Sequence, residues 1–369
     1  MKVVFCLDSL GIGGAEKSTL DNLSHFSKET EPILVYFYSN HALKKDFEQA
    51  GIRVVQIPIS SMFSKWTAIF RLYRFLKKEN PDVVVSSIMT ADLITRMAVF
   101  FSRHTLVGTF INDTYSDVRI EEMKKNKLYA KFRVVWFLDR ITSFIPSYWI
   151  SNAVSISETN AKALHINRQK IKVINRGRDT SRMNPWQPPT DQPYFRFIFL
   201  GRLMERKGIN ELLDAFSLLL KTHPNVRLDI VGGGQYTEHV KSRIAELQIN
   251  EAVVLHGSVP NGWSLFYNAH CFVFPSWYEG FSGTLIEASI LGMPIICSDI
   301  PMNKEAVDEQ QALFFPVKDT HALYQSMQTM VSSYAHSANN RFAMREQAIR
   351  QYDINVIASK YEAFLRSII

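Results

Sequence analysis

At 369 residues the chain is long for one hydrophobic core and suits two domains of ordinary size. Its composition, 46% hydrophobic and 21% charged, excludes a disordered protein, and no stretch holds the ~18 uninterrupted apolar residues a membrane span needs. The net charge of +7 is uneven, since residues up to Thr190 carry 27 Lys and Arg against 17 Asp and Glu, and the remainder 15 against 18; an anionic partner is expected on the first half.

Lys2-Val-Val-Phe-Cys-Leu7 reads as a first strand, and Asp8 with the glycines after it interrupts the apolar run, unlike a secretory leader. Gly11-Ile-Gly-Gly-Ala-Glu16 then opens a helix over Glu16 to Phe26. Glycines such as Gly13 and Gly14 let a bound group approach the backbone, and a helix N-terminus favours phosphate. Glu16 falls in the first turn, where its charge is favoured. A dinucleotide enzyme would need an acidic residue at the end of the second strand. That strand, Pro32-Ile-Leu-Val-Tyr-Phe37, runs on into Tyr38-Ser39, which argues against NAD.

Further strands are expected at Arg53–Ile57, Asp82–Ser86, Leu106–Thr109 and Ala153–Ile156, with a helix over Thr67 to Glu79. This alternation predicts a parallel, doubly wound sheet. Lys124-Lys-Asn-Lys-Leu-Tyr-Ala-Lys-Phe-Arg-Val-Val-Trp136, continuing to Trp149, interleaves basic and aromatic residues as segments at anionic membrane surfaces do. The proline-rich Met183–Pro193 continues neither element type and marks the domain boundary. The division expected is 1–185, 186–350, and a terminal helical segment 351–369.

The alternation restarts with strands at Phe195–Leu200, Val226–Val231, Ala252–His256, Cys271–Phe274, Pro294–Cys297 and Ala312–Phe315. Two such domains would leave a cleft between their strand ends. Cys6, Cys271 and Cys297 all lie in apolar runs without C-x-x-C or Cys/His spacing. The expectation is therefore a cytosolic protein without disulfides or structural zinc. No metal cluster and no D-x-D after a strand is visible, and neither a cofactor nor a nucleic-acid partner is expected.

Gly201-Arg-Leu-Met-Glu-Arg-Lys-Gly208 follows the first strand of the second half. Arg202 and Lys207 on that turn suit a diphosphate, gripped by a guanidinium and neutralised by an ammonium, while Arg206 reads as solvated. Val231-Gly-Gly-Gly234 is a conformational turn. Finally, Glu279 and Glu287 stand eight positions apart across Trp277-Tyr-Glu-Gly-Phe-Ser-Gly-Thr-Leu-Ile-Glu287. The preceding strand stops at Pro275, Phe281-Ser282-Gly283 is a loop, and Thr284 to Gly292 is a helix closed by glycine. Carboxylates at that edge suit the hydroxyl-rich ribose and hexose of a nucleotide sugar.

This E-x7-E pattern, with the G-R-x5-G-like turn and the G-G-A-E loop, resembles retaining glycosyltransferase family 4, whose members have the GT-B fold. The resemblance spans nearly the whole chain, with its specific part between Gly201 and Gly292. It implies an α/β protein of two Rossmann-like domains that moves a hexose or N-acetylhexosamine from a nucleotide-diphosphate sugar without a metal. A UDP-sugar is favoured over a GDP-sugar. By the same resemblance Arg202 and Lys207 meet the diphosphate, Glu279 orients the hexose and Glu287 holds the ribose. Phe281, Ser282, Gly283 and Thr284 line the donor, as do Gly13 and Gly14. The His256-Gly-Ser-Val259-Pro260 loop reads the nucleobase by its backbone. Asn175-Arg-Gly-Arg-Asp179 resembles a hinge turn of the family, with charged residues in place of the usual ones. On the acceptor side the candidates are Glu16, Asn112 and Asp113, with no matching histidine. The acceptor implied is a glycan or lipid-linked glycan of surface polysaccharide or lipopolysaccharide synthesis, met in the cytoplasm or at the inner face of the membrane. A nucleotide-sugar epimerase, a phosphorylase or a non-catalytic glycan-binding protein of the same fold remain as alternatives.

Overall fold

The computed structural model describes every residue except 61, 191–192 and 334–340. The chain divides into two compact units, Met1–Asp179 with Asp353–Ile369, and Thr180–Tyr352.

In chain order the first unit contains β1 (Lys2–Leu7), α1 (Gly14–Ser24), β2 (Glu31–Tyr36), α2 (Lys44–Gln49), β3 (Arg53–Gln56), α3 (Met62–Glu79) and β4 (Val83–Ser86). It continues through α4 (Met89–Ser102), β5 (Thr105–Phe110), α5 (Asp117–Lys125), α6 (Tyr129–Thr142), β6 (Tyr148–Ser151), α7 (Val154–Leu164) and β7 (Ile171–Val173). Among the described residues the strands form one parallel sheet in the order β3-β2-β1-β4-β5-β6-β7. Val83, Val84 and Val85 are buried because both faces are covered, which is why strands here read as unbroken apolar runs. One face packs Phe5, Leu7, Leu34 and Tyr36; the other packs Val4, Cys6, Val35 and Phe37 under α3 and α4.

The second unit contains β8 (Phe195–Leu200), α8 (Ile209–Thr222), β9 (Val226–Val231), α9 (Thr237–Glu246), β10 (Val253–Gly257) and β11 (Cys271–Phe274). It closes with α10 (Gly283–Leu291), β12 (Ile295–Ser298), α11 (Pro301–Ala306), β13 (Ala312–Phe315), α12 (Thr320–Ser333) and α13 (Arg341–Tyr352). Its parallel order is β10-β9-β8-β11-β12-β13. Strand order reverses direction between β1 and β4 in one sheet and between β8 and β11 in the other. The carboxyl ends of those strand pairs are where open α/β sheets hold ligands.

The last helix, α14 (Ile354–Arg366), belongs to the first unit. Ile357, Tyr361 and Leu365 join the core beneath β1, with the Tyr361 ring 6.1 Å from Phe5 and 6.0 Å from Phe26. Glu362, also on α14, accepts from the backbone N–H and the hydroxyl of Ser27, both at 2.9 Å.

One expected strand needs correction. Ala153–Ile156 is not a strand: the strand is Tyr148–Ser151, and Ala153 is the extended N-cap of α7. Ile156, Asn160, Ala161 and Leu164 are buried at helical spacing, which outweighs the alternation of Ala-Val-Ser-Ile. The proline-rich segment, of which residues 191–192 lie outside the described residues, belongs to the second unit, which begins at Thr180. Trp186 is buried in the second unit, its backbone N–H donating to Leu291 O (2.9 Å) and its indole Nε1 to Phe266 O and Ala269 O (both 3.0 Å).

Candidate active site

In the second unit the loops after β8 and β11 meet at the strand-order reversal. After β8, Gly201 N–H donates to Val231 O (3.0 Å) and Leu203 N–H to Gly233 O (2.9 Å), which locks the turn to the Gly232–Gly234 loop. A Cβ on Gly232 would fall 1.8 Å from Gly201 O, so no side chain fits there. Glu205–Lys207 form a short 3-10 turn ended by Gly208 at φ +68°, where a Cβ would meet Pro275 O at 2.0 Å. Glycine alone tolerates both the conformation and the contact. The two loops are thereby pressed together, and Trp277 N–H donates to Arg206 O (2.9 Å).

That contact delivers Lys207 to Glu279. The Lys207 ammonium donates to Glu279 Oε1, both side chains are buried, and Nζ also sits 5.4 Å from the Phe274 ring centroid. Burial draws the Lys207 pKa below its ordinary value, against the attraction of Glu279. Burial pushes the other way on Glu279, but the charges of Lys207 and Arg206, with the hydrogen bond from Lys207, outweigh it and hold the carboxyl below its usual range. Arg206 is not solvated as its sequence position suggests. Its guanidinium donates to Tyr278 O (3.3 Å) and lies 4.9 Å from the Tyr278 ring, pinning the β11 loop. Arg202, by contrast, is exposed.

The Ser282 hydroxyl caps α10, accepting from Leu285 N–H at 3.4 Å, and lies 3.0 Å from the Thr284 hydroxyl. Phe281 is buried against Tyr352, its ring centroid 5.8 Å away. Every residue of α10 is buried except Thr284 and Glu287, which are half-exposed one turn apart on one side of the helix. Thr284 and Glu287 therefore form its open face, beside the helix N-terminus at Gly283. Val259 is exposed beyond β10, on the loop where a positive φ falls at Gly257 and Asn261.

In the first unit the loop after β1 holds Gly13 as the extended N-cap of α1. A Cβ on Gly13 would meet Glu16 Oε2 at 2.2 Å, so the buried Glu16 carboxylate folds back over the helix start. A Cβ on Gly14 would lie 3.3 Å from Arg176 Nη1, which puts one of the unusual charges of Asn175–Asp179 against this loop. Asn112 is exposed and its carbonyl accepts from Asn160 Nδ2 (3.0 Å). Asp113 is buried, and burial raises its pKa to about 6.

Several groups at this edge escaped the sequence reading. Asp8, at the end of β1, accepts from Ala91 N–H at 2.6 Å, and burial raises its pKa to about 6. Between β4 and α4, Ile88 sits at φ +75°, a strained backbone for a β-branched residue. Beside it Ser87 accepts from the Thr109 hydroxyl (2.8 Å), and the Ser86 hydroxyl donates to Asp92. Asp8, Ser87 and Asp113 thus follow three neighbouring strands, β1, β4 and β5. Only a strand ending in an acid hinted at Asp8, and nothing in the spacing marked Ile88.

Among the described residues no three His, Cys, Asp or Glu side chains are grouped as metal ligands, and Cys6, Cys271 and Cys297 are buried thiols. No helix among them is long and apolar enough to cross a membrane.

The family model for Glycosyltransferase Family 4 matches residues 12–182, and that for Glycosyl transferases group 1 matches residues 181–364. An uncharacterized glycosyltransferase of Methanocaldococcus jannaschii is 36% identical, over 75% of this chain and 71% of its own. The capsular polysaccharide biosynthesis glycosyltransferase CapH of Staphylococcus aureus is 27% identical over 83% of each chain. A crystal structure of Anabaena HepE with UDP and glucose superposes with a TM-score of 0.83 at 19% identity over all of both chains, a likeness of fold. Two abutting family models and a relative matched over most of both chains place this protein among the family 4 glycosyltransferases, with the GT-B fold.

Proposed function

We propose that the enzyme transfers a hexose or N-acetylhexosamine, with retention and without a metal, from a nucleotide-diphosphate sugar (a UDP-sugar before a GDP-sugar) to a glycan or lipid-linked glycan. The setting is bacterial-type surface polysaccharide synthesis at the inner face of the membrane, whose anionic surface is a further partner. The observation that carries this reading is the buried Lys207–Glu279 pair beside the open face of α10. Arg202 and Lys207 supply the positive charge that the leaving diphosphate needs, the kind of preorganised term enzymes rely on most. Glu279 faces the hexose, and Glu287 with Thr284 takes the ribose end. Ser282 and Gly283 offer the start of α10, Phe281 keeps the loop in place, and Val259 flanks the base by its backbone. Gly13 and Gly14 bring the backbone at the start of α1 to a phosphate, with Arg176 beside Gly14, once the Glu16 carboxylate over Gly13 gives way.

In this reading the acceptor hydroxyl bonds to the anomeric carbon on the face from which the diphosphate departs. Its proton passes to the departing phosphate oxygen. Asp113 holds the acceptor, with Asn112 and Glu16 on the same edge. The test is incubation with a panel of UDP- and GDP-sugars, reading slow donor hydrolysis and the anomer released. Hydrolysis of a UDP-sugar with retained configuration supports the proposal; turnover only by epimerisation or phosphorolysis, or no turnover with any donor, overturns it.

A further inference from the structure

Helix α6 carries apolar residues on both its inward and its outward side. Its one fully buried residue is an acid, Asp139, while Val134, Phe137, Leu138 and Ile141 point outward in a single stripe, Phe137 at 62% exposure. Asp139 is held from within: Arg96 of α4, 1% exposed, donates to its Oδ1, and the Tyr115 hydroxyl donates to its Oδ2. Half-buried Phe132 and Trp136 pack on Tyr115 from the same inward side, their ring centroids 5.9 and 5.2 Å from it, so the helix is anchored there and is apolar again on the side that globular proteins leave polar. The stripe continues past the helix end into an edge-to-face cluster of exposed rings, with Phe144 6.4 Å from Phe100 and Phe100 5.4 Å from Phe101.

The charges around the stripe identify what covers it. Exposed Lys131 borders one side, exposed Arg133 and Arg140 the other, and Asp139, the only acid of α6, is turned inward. A twofold pairing with a second copy would set these basic borders against one another with nothing to neutralise them. An apolar stripe rimmed by cations is what a helix lying flat in an anionic bilayer interface presents. At 14 residues, ~21 Å long, α6 is too short to span a bilayer and long enough to lie in its surface.

We infer that α6, with the Phe100–Phe101–Phe144 cluster, inserts its outward face among the lipids of an anionic membrane. This rests on the membrane contact in the proposed function and deepens it from charge attraction to insertion. The test is co-sedimentation of the full chain with phosphatidylglycerol–phosphatidylcholine vesicles at low salt and at ~1 M salt, where charges are screened within ~3 Å. Wild type is expected to sediment at low salt and to remain partly bound at high salt. Replacing Val134, Phe137, Leu138 and Ile141 together with serine should weaken partitioning at least ~100-fold at either salt, from the lost apolar burial. Hydrolysis of a soluble donor should persist in that variant, which separates this inference from the reaction itself. A Phe137→Trp variant, its fluorescence shifted to the blue and quenched by brominated lipid, reports insertion even should the serine variant fold poorly. Binding that salt abolishes, equal in wild type and serine variant, would leave an electrostatic membrane contact and overturn insertion. No binding to any vesicle overturns both, as does a wild-type dimer in sedimentation velocity that the serine changes dissolve.

Discussion

The ammonium of Lys207 donates to the carboxylate of Glu279, and the two buried side chains neutralise each other. Lys207 is therefore not a loose surface cation awaiting a phosphate. Arg202 on the same turn is exposed to solvent, and in the proposed reaction Lys207 would turn to a diphosphate only as Glu279 finds hydroxyls to accept from.

For Lys207→Ala two losses should coincide. Turnover should fall on the order of a hundredfold or more, as when one charge-stabilising donor is removed. Stability should also fall by about 3–5 kcal/mol, because Glu279 is left buried without its counter-charge. Urea denaturation reads the second effect. The double variant Lys207→Met with Glu279→Gln should regain most of the stability and none of the activity; an unchanged midpoint in Lys207→Ala would show that the pair carries no structural burden.

Arg202→Ala should separate the same two quantities. The side chain is exposed, so the unfolding midpoint should stay within ~0.5 kcal/mol of wild type. Donor turnover should nevertheless drop ~100-fold. Full activity in this variant would remove Arg202 from the diphosphate site.

Glu287→Gln and Glu279→Gln should divide binding from turnover. Glu287 stands on the open face of α10, and losing its charge-assisted bonds to a ribose should cost ~1.5–3 kcal/mol of affinity for the bare nucleotide diphosphate. Glu279→Gln should spare that affinity and lower turnover, since its sugar partner changes in the transition state. Calorimetry with UDP and GDP measures the split, and the reverse pattern would exchange the two roles.

Asp113 gives a pH-dependent signature. Its folded pKa is raised from 3.8 to about 6 by burial, so between those values the folded state binds the extra proton and stability falls as pH rises. Asp113→Asn should match wild type near pH 4 and exceed it above pH about 6, by on the order of 1–3 kcal/mol. Asp8, raised likewise to about 6, should leave a residual slope in the variant. Parallel wild-type and variant stability curves across this range would contradict the burial of the carboxyl.

Much of this was legible in the chain because its strands are buried on both faces. Val83–Ser86 and Cys271–Phe274 announce themselves as unbroken apolar runs. Ile171–Val173 does not, because a partly exposed edge strand of three residues with a central lysine has no such signature. The E-x7-E spacing located β11, its loop and α10, since turn and cap residues are local in sequence. The Lys207–Glu279 pair was out of reach for the opposite reason: its members are 72 positions apart and meet because Gly208 lets two loops touch. The exposed apolar side of α6 was half visible. Its mixture of basic and aromatic residues could be read directly, but which side faced outward depended on Asp139 finding Arg96 on another helix.

The chain leaves its first unit at Asp179 and returns to it only at Asp353. During synthesis the second unit, a continuous segment, can therefore complete its core while the first still lacks α14. Until that helix emerges, Phe5 and Phe26 have no Tyr361 to pack against, and Ser27 has no Glu362. Closing so long a loop costs little extra entropy, but the wait leaves apolar surface open to association. A premature stop or a protease cut near the carboxyl end would accordingly damage the amino-terminal unit first.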